Sequence, residues 1–171
     1  MRNAKRFPKF FVIVAIIAIA ASLSGCAQVR ARTLAASAPA PPNRAESSLI
    51  GGINNFRRSH GLPALSIHTN LVNKARDWAG HMASGGCGTG GGGVPNICHS
   101  NLSNGITVSW ARLGENVGMV APKTNVSGME HGFESSPPHA ENMLNREINY
   151  VGVGVAYVGN YMYVAEEFMK S

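Results

Sequence analysis

The closing segment from Val151 to Phe168 constrains the fold more than any other stretch of the chain. Val151, Val153, Val155 and Tyr157 alternate with Gly152, Gly154 and Ala156, the period-two pattern of a strand. Gly159-Asn160 supplies a turn, and Tyr161, Tyr163 and Phe168 continue a second strand, so the segment reads as a β-hairpin. The small residues on one face imply that another element packs very close to the backbone there. A sheet apolar on both faces needs cover on both. Since the helical patterns lie upstream, the expected fold class is α+β, an α-β-α sandwich with a small antiparallel sheet between helices.

Upstream, Ser47 or Ser48 is placed to cap a helix that carries Leu49, Ile53 and Phe56 at helical spacing, with Gly61 as a stop and Pro63 just beyond. Asn70 reads as the cap of a second helix. Its stripe of Leu71, Ala75, Trp78, Ala79 and Met82 lies opposite Asn73, Arg76 and Asp77. His81 falls off that stripe and is expected to be exposed. Residues 127–144 read as one or two short helices broken at Pro137-Pro138. Seven glycines fall between Gly85 and Gly93. Gly88, Gly90 and Gly93 fit G-x-G-x-x-G, but a helix precedes them and Val94-Pro95 follows, the reverse of the strand-to-helix setting a dinucleotide site needs. The stretch reads instead as a flexible loop pinned by Cys87 and Cys98.

The first residues have the layout of an export signal. Arg2, Lys5, Arg6 and Lys9 precede an uncharged, mostly apolar run from Phe10 to Leu23, followed by Ser24-Gly25-Cys26. Such a run is shorter than the roughly 20 residues a membrane helix needs. The small-small-Cys ending resembles the bacterial lipobox, in which the cysteine is acylated. The expected organisation is therefore a signal peptide over 1–25, a lipidated Cys26 with an Ala/Pro/Ser tether over 26–45, and a single domain over 46–171. The expected location is the extracytoplasmic side of a bacterial membrane, with the lipid at Cys26 as the membrane partner.

Charge supports that division. The chain carries 15 Lys and Arg against 9 Asp and Glu, but from Glu46 onward the balance is 8 to 9. The basic excess belongs to the targeting end, so a nucleic-acid partner is not expected. In an oxidising envelope the remaining pair, Cys87 and Cys98, suggests a disulfide worth about 2–3 kcal/mol. The alternative reading makes Cys98 a metal thiolate beside His99.

Simple catalytic signatures are missing. There is no G-x-S-x-G elbow and no H-E-x-x-H, and the only aspartate, Asp77, sits on the polar side of a helix. What remains is an ordered set: His99-Ser100, then Gly114-Glu115-Asn116, then Ser136-Pro137-Pro138-His139. With Ile53-Asn54-Asn55-Phe56-Arg57, Gly61-Leu62-Pro63-Ala64-Leu65, FESSPPHAENML over 133–144 and the closing hairpin, this set resembles the CAP (SCP-like) superfamily of cysteine-rich secretory, antigen-5 and pathogenesis-related proteins. The resemblance spans about residues 48 to 169. It implies a central cleft in which two histidines and acidic residues hold a divalent metal, often zinc. Carried over by position, those residues are His99, His139 and Glu115, with Asn116, Ser136 and Asn142 as cleft support. Many eukaryotic members have a tryptophan where Phe133 stands and a second glutamate where Ser136 stands, so this cleft has one carboxylate fewer. Glu130, Glu134 and Glu141 are weaker substitutes, read more simply as solvated helix charges.

The open His/Glu constellation, with no recognisable nucleophile, favours a binding module, expected to be monomeric, for a metal ion, a small apolar molecule such as a lipid, or a cell-wall component. One alternative is a metal-dependent hydrolase of peptide or wall substrates, with Glu115 as general base to a zinc hydroxide. Another is a non-catalytic envelope scaffold. The remaining histidines, His60, His68, His81 and His131, read as structural or surface residues, and Arg57 as a pin for the first helix.

Overall fold

A computed structural model describes residues 40–171. The expected signal peptide, Cys26 and most of the tether lie outside the described residues. Among the described residues nine elements follow one another. Helix α1 is Arg44–Ser59, strand β1 Ser66–Ile67, helix α2 Thr69–Ala83, and a 3-10 turn spans Gly91–Gly93. Strand β2 is Arg112–Val120, helix α3 Val126–Ser135, helix α4 Pro137–Leu144, and strands β3 and β4 are Tyr150–Val158 and Tyr161–Lys170.

The sheet order is β1-β3-β4-β2, with β1 parallel to β3 and the other pairs antiparallel. It is therefore a small, mostly antiparallel sheet rather than a wholly antiparallel one. The hairpin turns at Gly159-Asn160, where Gly159 has φ +55°, a conformation that favours glycine. Alternation divides β4 between two cores. Met162, Val164 and Phe168 join Leu49, Ile53, Met129, Phe133 and Met143, the layer of α1, α3 and α4. Tyr163 and Ala165 join Ala75, Met82 and Val117, the layer of α2. This is the α-β-α sandwich, with helices covering both faces.

Two helix starts differ from expectation. Helix α1 begins at Arg44, capped by Asn43 rather than Ser47 or Ser48. The Asn43 side chain accepts from Glu46 N (3.0 Å), and Glu46 Oε2 accepts from Asn43 N (2.8 Å). This reciprocal pair satisfies two amides at once, which a lone serine cannot do. The domain thus starts inside the stretch read as tether, with Ala45 and Glu46 buried. Helix α2 is capped by His68, whose Nδ1 accepts from Asn70 N. Asn70 itself turns to Gly105 O and Thr107 N, tying the helix to the long loop that precedes β2.

Arg57 is fully buried at the end of α1. Its guanidinium donates to Pro63 O (2.9 Å), Met143 O (2.7 Å) and Asn145 O (2.9 Å), which ties α1 to the end of α4. Burial lowers its pKa. Arg57→Met would leave those carbonyls unpaired, at an expected cost of about 3 kcal/mol. The check is a lower urea midpoint at unchanged slope. A loss under about 1 kcal/mol would mean that water replaces the guanidinium.

Candidate functional site

Strand β2 is an edge of the sheet, and Glu115 and Asn116 point to its opposite faces. Glu115 pairs across the ladder with Glu167, and Asn116 with Glu166. The long loop before β2 brings His99 to the Glu115 side. Helix α4 brings His139 to the Asn116 side.

Glu115 is buried and well supplied with donors. His99 Nδ1 lies 2.8 Å from its Oε1, and Ser100 N donates to the same oxygen at 2.9 Å. Lys74, a buried lysine of α2, places Nζ 3.0 Å from Glu167 Oε1 and 3.9 Å from Glu115 Oε2, and donates to the Ser100 hydroxyl. Burial alone would raise the Glu115 pKa. The Ser100 hydroxyl and amide, His99 and the Glu167 carboxyl together hold it below the ordinary value. Burial pushes Glu167 up to about 9, against the pull of Lys74 and with the charge of Glu115. At neutral pH the pair is thus one carboxylate and one carboxylic acid, with the proton on Glu167.

On the other face Asn116 Nδ2 donates to His139 O (3.2 Å) and to Glu166 Oε2 (3.0 Å). Asn142 Nδ2 donates to Asn116 Oδ1 (2.9 Å) and to Glu115 O (3.1 Å), capping a carbonyl of the edge strand. The His139 ring meets Phe133 edge to face at 5.0 Å, and its Nδ1 is buried with no hydrogen-bond partner among the described residues. Burial lowers the His139 pKa, and the charge of His99 lowers it further. The ring is therefore neutral at pH 7, the form that ligates metals.

The expected residues divide as follows. His99 and Glu115 are in direct contact. His139 is linked to them through Asn116 and Asn142 and senses the charge of His99. Ser136 enters only as the backbone N-cap of α4, its carbonyl accepting from Ala140 N. Glu141 is exposed, and Glu130 is occupied by the Ser48 hydroxyl at 3.2 Å. A hollow of about 420 Å³ lies beside His99, Leu102, Leu113, Gly114, Glu115 and Asn142. A larger one of about 660 Å³, between Arg44, Ser48, Lys123 and Tyr157, shares none of these residues.

The donor chemistry fits a metal with open positions. Glu115 fixes one imidazole nitrogen of His99 and leaves the other for an ion, the carboxylate–histidine arrangement of metal sites. His139 offers a neutral ring. Among the described residues, however, the group of three donors lying within 4.8 Å of one another is His81, Cys87 and Cys98, not the cleft trio. Cys87 and Cys98 form the expected disulfide, with Cα atoms 5.8 Å apart.

A model of the cysteine-rich secretory protein family, CAP, matches residues 50–168. The chain belongs to the CAP family. Solved structures share the fold. An outer surface protein of Borrelia burgdorferi matches with a TM-score of 0.60 and 17% identity over 77% of this chain and 96% of that one. Venom allergen-like protein 4 of Schistosoma mansoni matches with a TM-score of 0.56 and 14% identity over 75% and 90%. A cysteine-rich secretory protein of Staphylococcus aureus matches with a TM-score of 0.56 and 20% identity over 78% of this chain, which spans 40% of the staphylococcal one. Another matched structure was determined with Zn2+. No curated protein sequence matches the chain.

Three polar residues of this CAP domain escape sequence reasoning: Lys74, Glu166 and Glu167. One signal was available for the acids. Adjacent glutamates in a strand with helices on both sides must send one carboxyl into each core. Lys74 carried no such mark, since its helix turns it onto the buried side only through the long loop that closes over Ser100.

Proposed function

We propose that the protein is a lipid-anchored CAP domain of the bacterial envelope whose cleft holds a divalent metal between His99 and His139, with Glu115 orienting His99. The observation that carries this reading is the buried His139 Nδ1. Among the described residues it has no hydrogen-bond partner, burial and the charge of His99 lower the ring's pKa, and it sits within electrostatic reach of a histidine already braced by a carboxylate. The hollow at Leu102 and Leu113, which His99 and Glu115 also line, offers apolar contacts suited to a small envelope ligand such as a lipid. The basic and apolar start, ending in Ser24-Gly25-Cys26, supports export and anchoring. The outer surface protein of Borrelia burgdorferi and an extracellular SCP-domain protein of Bacillus anthracis, both of this fold, agree with an outward location.

Zinc titration of the oxidised protein by calorimetry tests the cleft, because the disulfide keeps both thiols out of play. One equivalent is expected to bind. Glu115→Gln should weaken affinity about 10–100-fold by freeing the His99 ring, and His139→Ala should remove stoichiometric uptake. Unchanged binding in both variants, with intact circular dichroism, would refute the assignment. Native mass spectrometry with envelope lipids tests the apolar side, and Cys26→Ala should move the protein from the membrane to the soluble fraction.

A further inference from the structure

We propose that reduction of the Cys87–Cys98 disulfide converts the glycine-rich loop into a second zinc site, held by Cys87, Cys98 and His81. These are the three donors that already lie within 4.8 Å of one another. They belong to the α2 end of the fold and share no residue with the His99 cleft.

The arrangement does not depend on the sulfur–sulfur bond alone. His81 stacks on Trp78, with ring centroids 4.5 Å apart and planes 18° apart, and Trp78 Nε1 donates to Cys98 O at 2.8 Å. One indole therefore fixes both the histidine ring and the backbone of a cysteine. Gly86 N donates to His81 O (2.9 Å), Gly88 N to Gly85 O (2.9 Å) and Asn96 N to Gly88 O (3.0 Å), while Tyr163 Oη donates to Pro95 O. These bonds hold the loop on both sides of the cysteines. The His81 ring occupies the space over Gly86, where a Cβ would come within 2.2–2.4 Å of its ring atoms. A side chain at 86 would displace the ligand.

The chemistry balances. A dithiol reductant gives two electrons and two protons to the disulfide and leaves as its own disulfide. Zinc then displaces the two thiol protons, a ring nitrogen of His81 donates a lone pair, and water completes a tetrahedron. Bonds of about 2.3 Å from zinc to each sulfur require the sulfurs to part to about 3.8 Å. The glycine-rich segment 85–93 has the backbone freedom for that shift. Two thiolates and an imidazole suit zinc over calcium or magnesium.

The test compares oxidised and reduced protein, using cobalt(II) as a spectroscopic probe and zinc for stoichiometry. Reduced protein should show a thiolate-to-cobalt charge-transfer band, lost on adding zinc, and retain one more zinc equivalent than oxidised protein after gel filtration. The sulfur band separates this site from the cleft, which has no thiolate. Cys87→Ser should abolish the band. His81→Ala and Gly86→Ala should each weaken zinc at least tenfold while near-ultraviolet circular dichroism stays native. The proposal is overturned if reduced, folded protein shows no band, if reduction unfolds the domain so that α2 no longer presents His81, or if His81→Ala binds as tightly as the parent.

Discussion

Replacing Gly154 with valine is expected to leave little folded protein at room temperature. A Cβ at this position would lie 2.1 Å from Ala75 C and Arg76 N, both backbone atoms of α2, and 2.3 Å from Ala75 O. Two residues earlier, a Cβ at Gly152 would meet Leu71 C and Val72 N, each at 2.3 Å. The spacing explains why the two glycines work together. Two strand residues advance about 6.7 Å, and the four helix residues from Leu71 to Ala75 advance about 6 Å. Helix α2 therefore lies along β3 for a full turn, with its backbone against the strand. Overpacking usually costs about 1–3 kcal/mol because side chains yield. Here the obstacle is main chain, so the whole helix must lift, and the loss should approach the roughly 5–15 kcal/mol that stabilises a typical domain. Loss of near-ultraviolet circular dichroism in Gly154→Val would show it. Gly51→Ala serves as control, because nothing among the described residues lies within 4 Å of its Cβ position and an alanine in α1 should be neutral or slightly stabilising. If Gly154→Val melts with the parent, the close approach of α2 to β3 is wrong.

That contact also shows what the sequence could reveal. Glycine and alanine on one face of a strand have few explanations besides close approach, so the close packing of another element on β3 was legible from Gly152, Gly154 and Ala156, and the structure identifies that element as α2. The apolar stripes of α1 and α2 were legible for the same reason, because burial imposes a period. Capping was not, because several polar residues near a helix start compete, and Asn43 with Glu46 won by reciprocity rather than by type. Strand β2 was hidden because its residues do not alternate cleanly: Glu115 and Asn116 are buried on opposite faces of an edge strand. The contact of His99 with Glu115 was anticipated from the resemblance, not from spacing, since 16 residues of loop and strand separate them. Lys74, Glu166 and Glu167 were illegible as a network, because a buried charge is identified by partners that only the fold brings together.

Those buried acids give the second large effect: the domain should lose stability as pH rises from about 5 to about 9. Burial raises Glu166 to about 8, against the hydrogen bond from Asn116 and with the added charges of Glu130 and Glu134. Glu167 rises to about 9 beside Glu115 and Lys74. Unfolding returns both to ordinary carboxyls near 4.5. Between those limits the folded chain binds more protons than the unfolded chain, so each group lowers stability with rising pH by at most about 1.4 kcal/mol per unit. Glu46 and Glu115, whose pKa values are lowered in the fold, act in the opposite sense: the stability they contribute is present above about 4.5 and fades as pH falls below it. The optimum should therefore lie near pH 5. Glu166→Gln keeps a carbonyl for Asn116 and cannot ionise. It should flatten the decline by one proton and stabilise the domain at pH 8 by on the order of 2 kcal/mol or more. Urea midpoints of parent and variant at pH 5, 7 and 8.5 decide the matter. A parent whose stability rises over that range, or a variant with the same slope, would show that Glu166 is ionised in the fold. Asn116 donates from one amide nitrogen both to Glu166 and to the His139 carbonyl, so the Glu166 side chain also helps orient the amide that holds the cleft's second histidine.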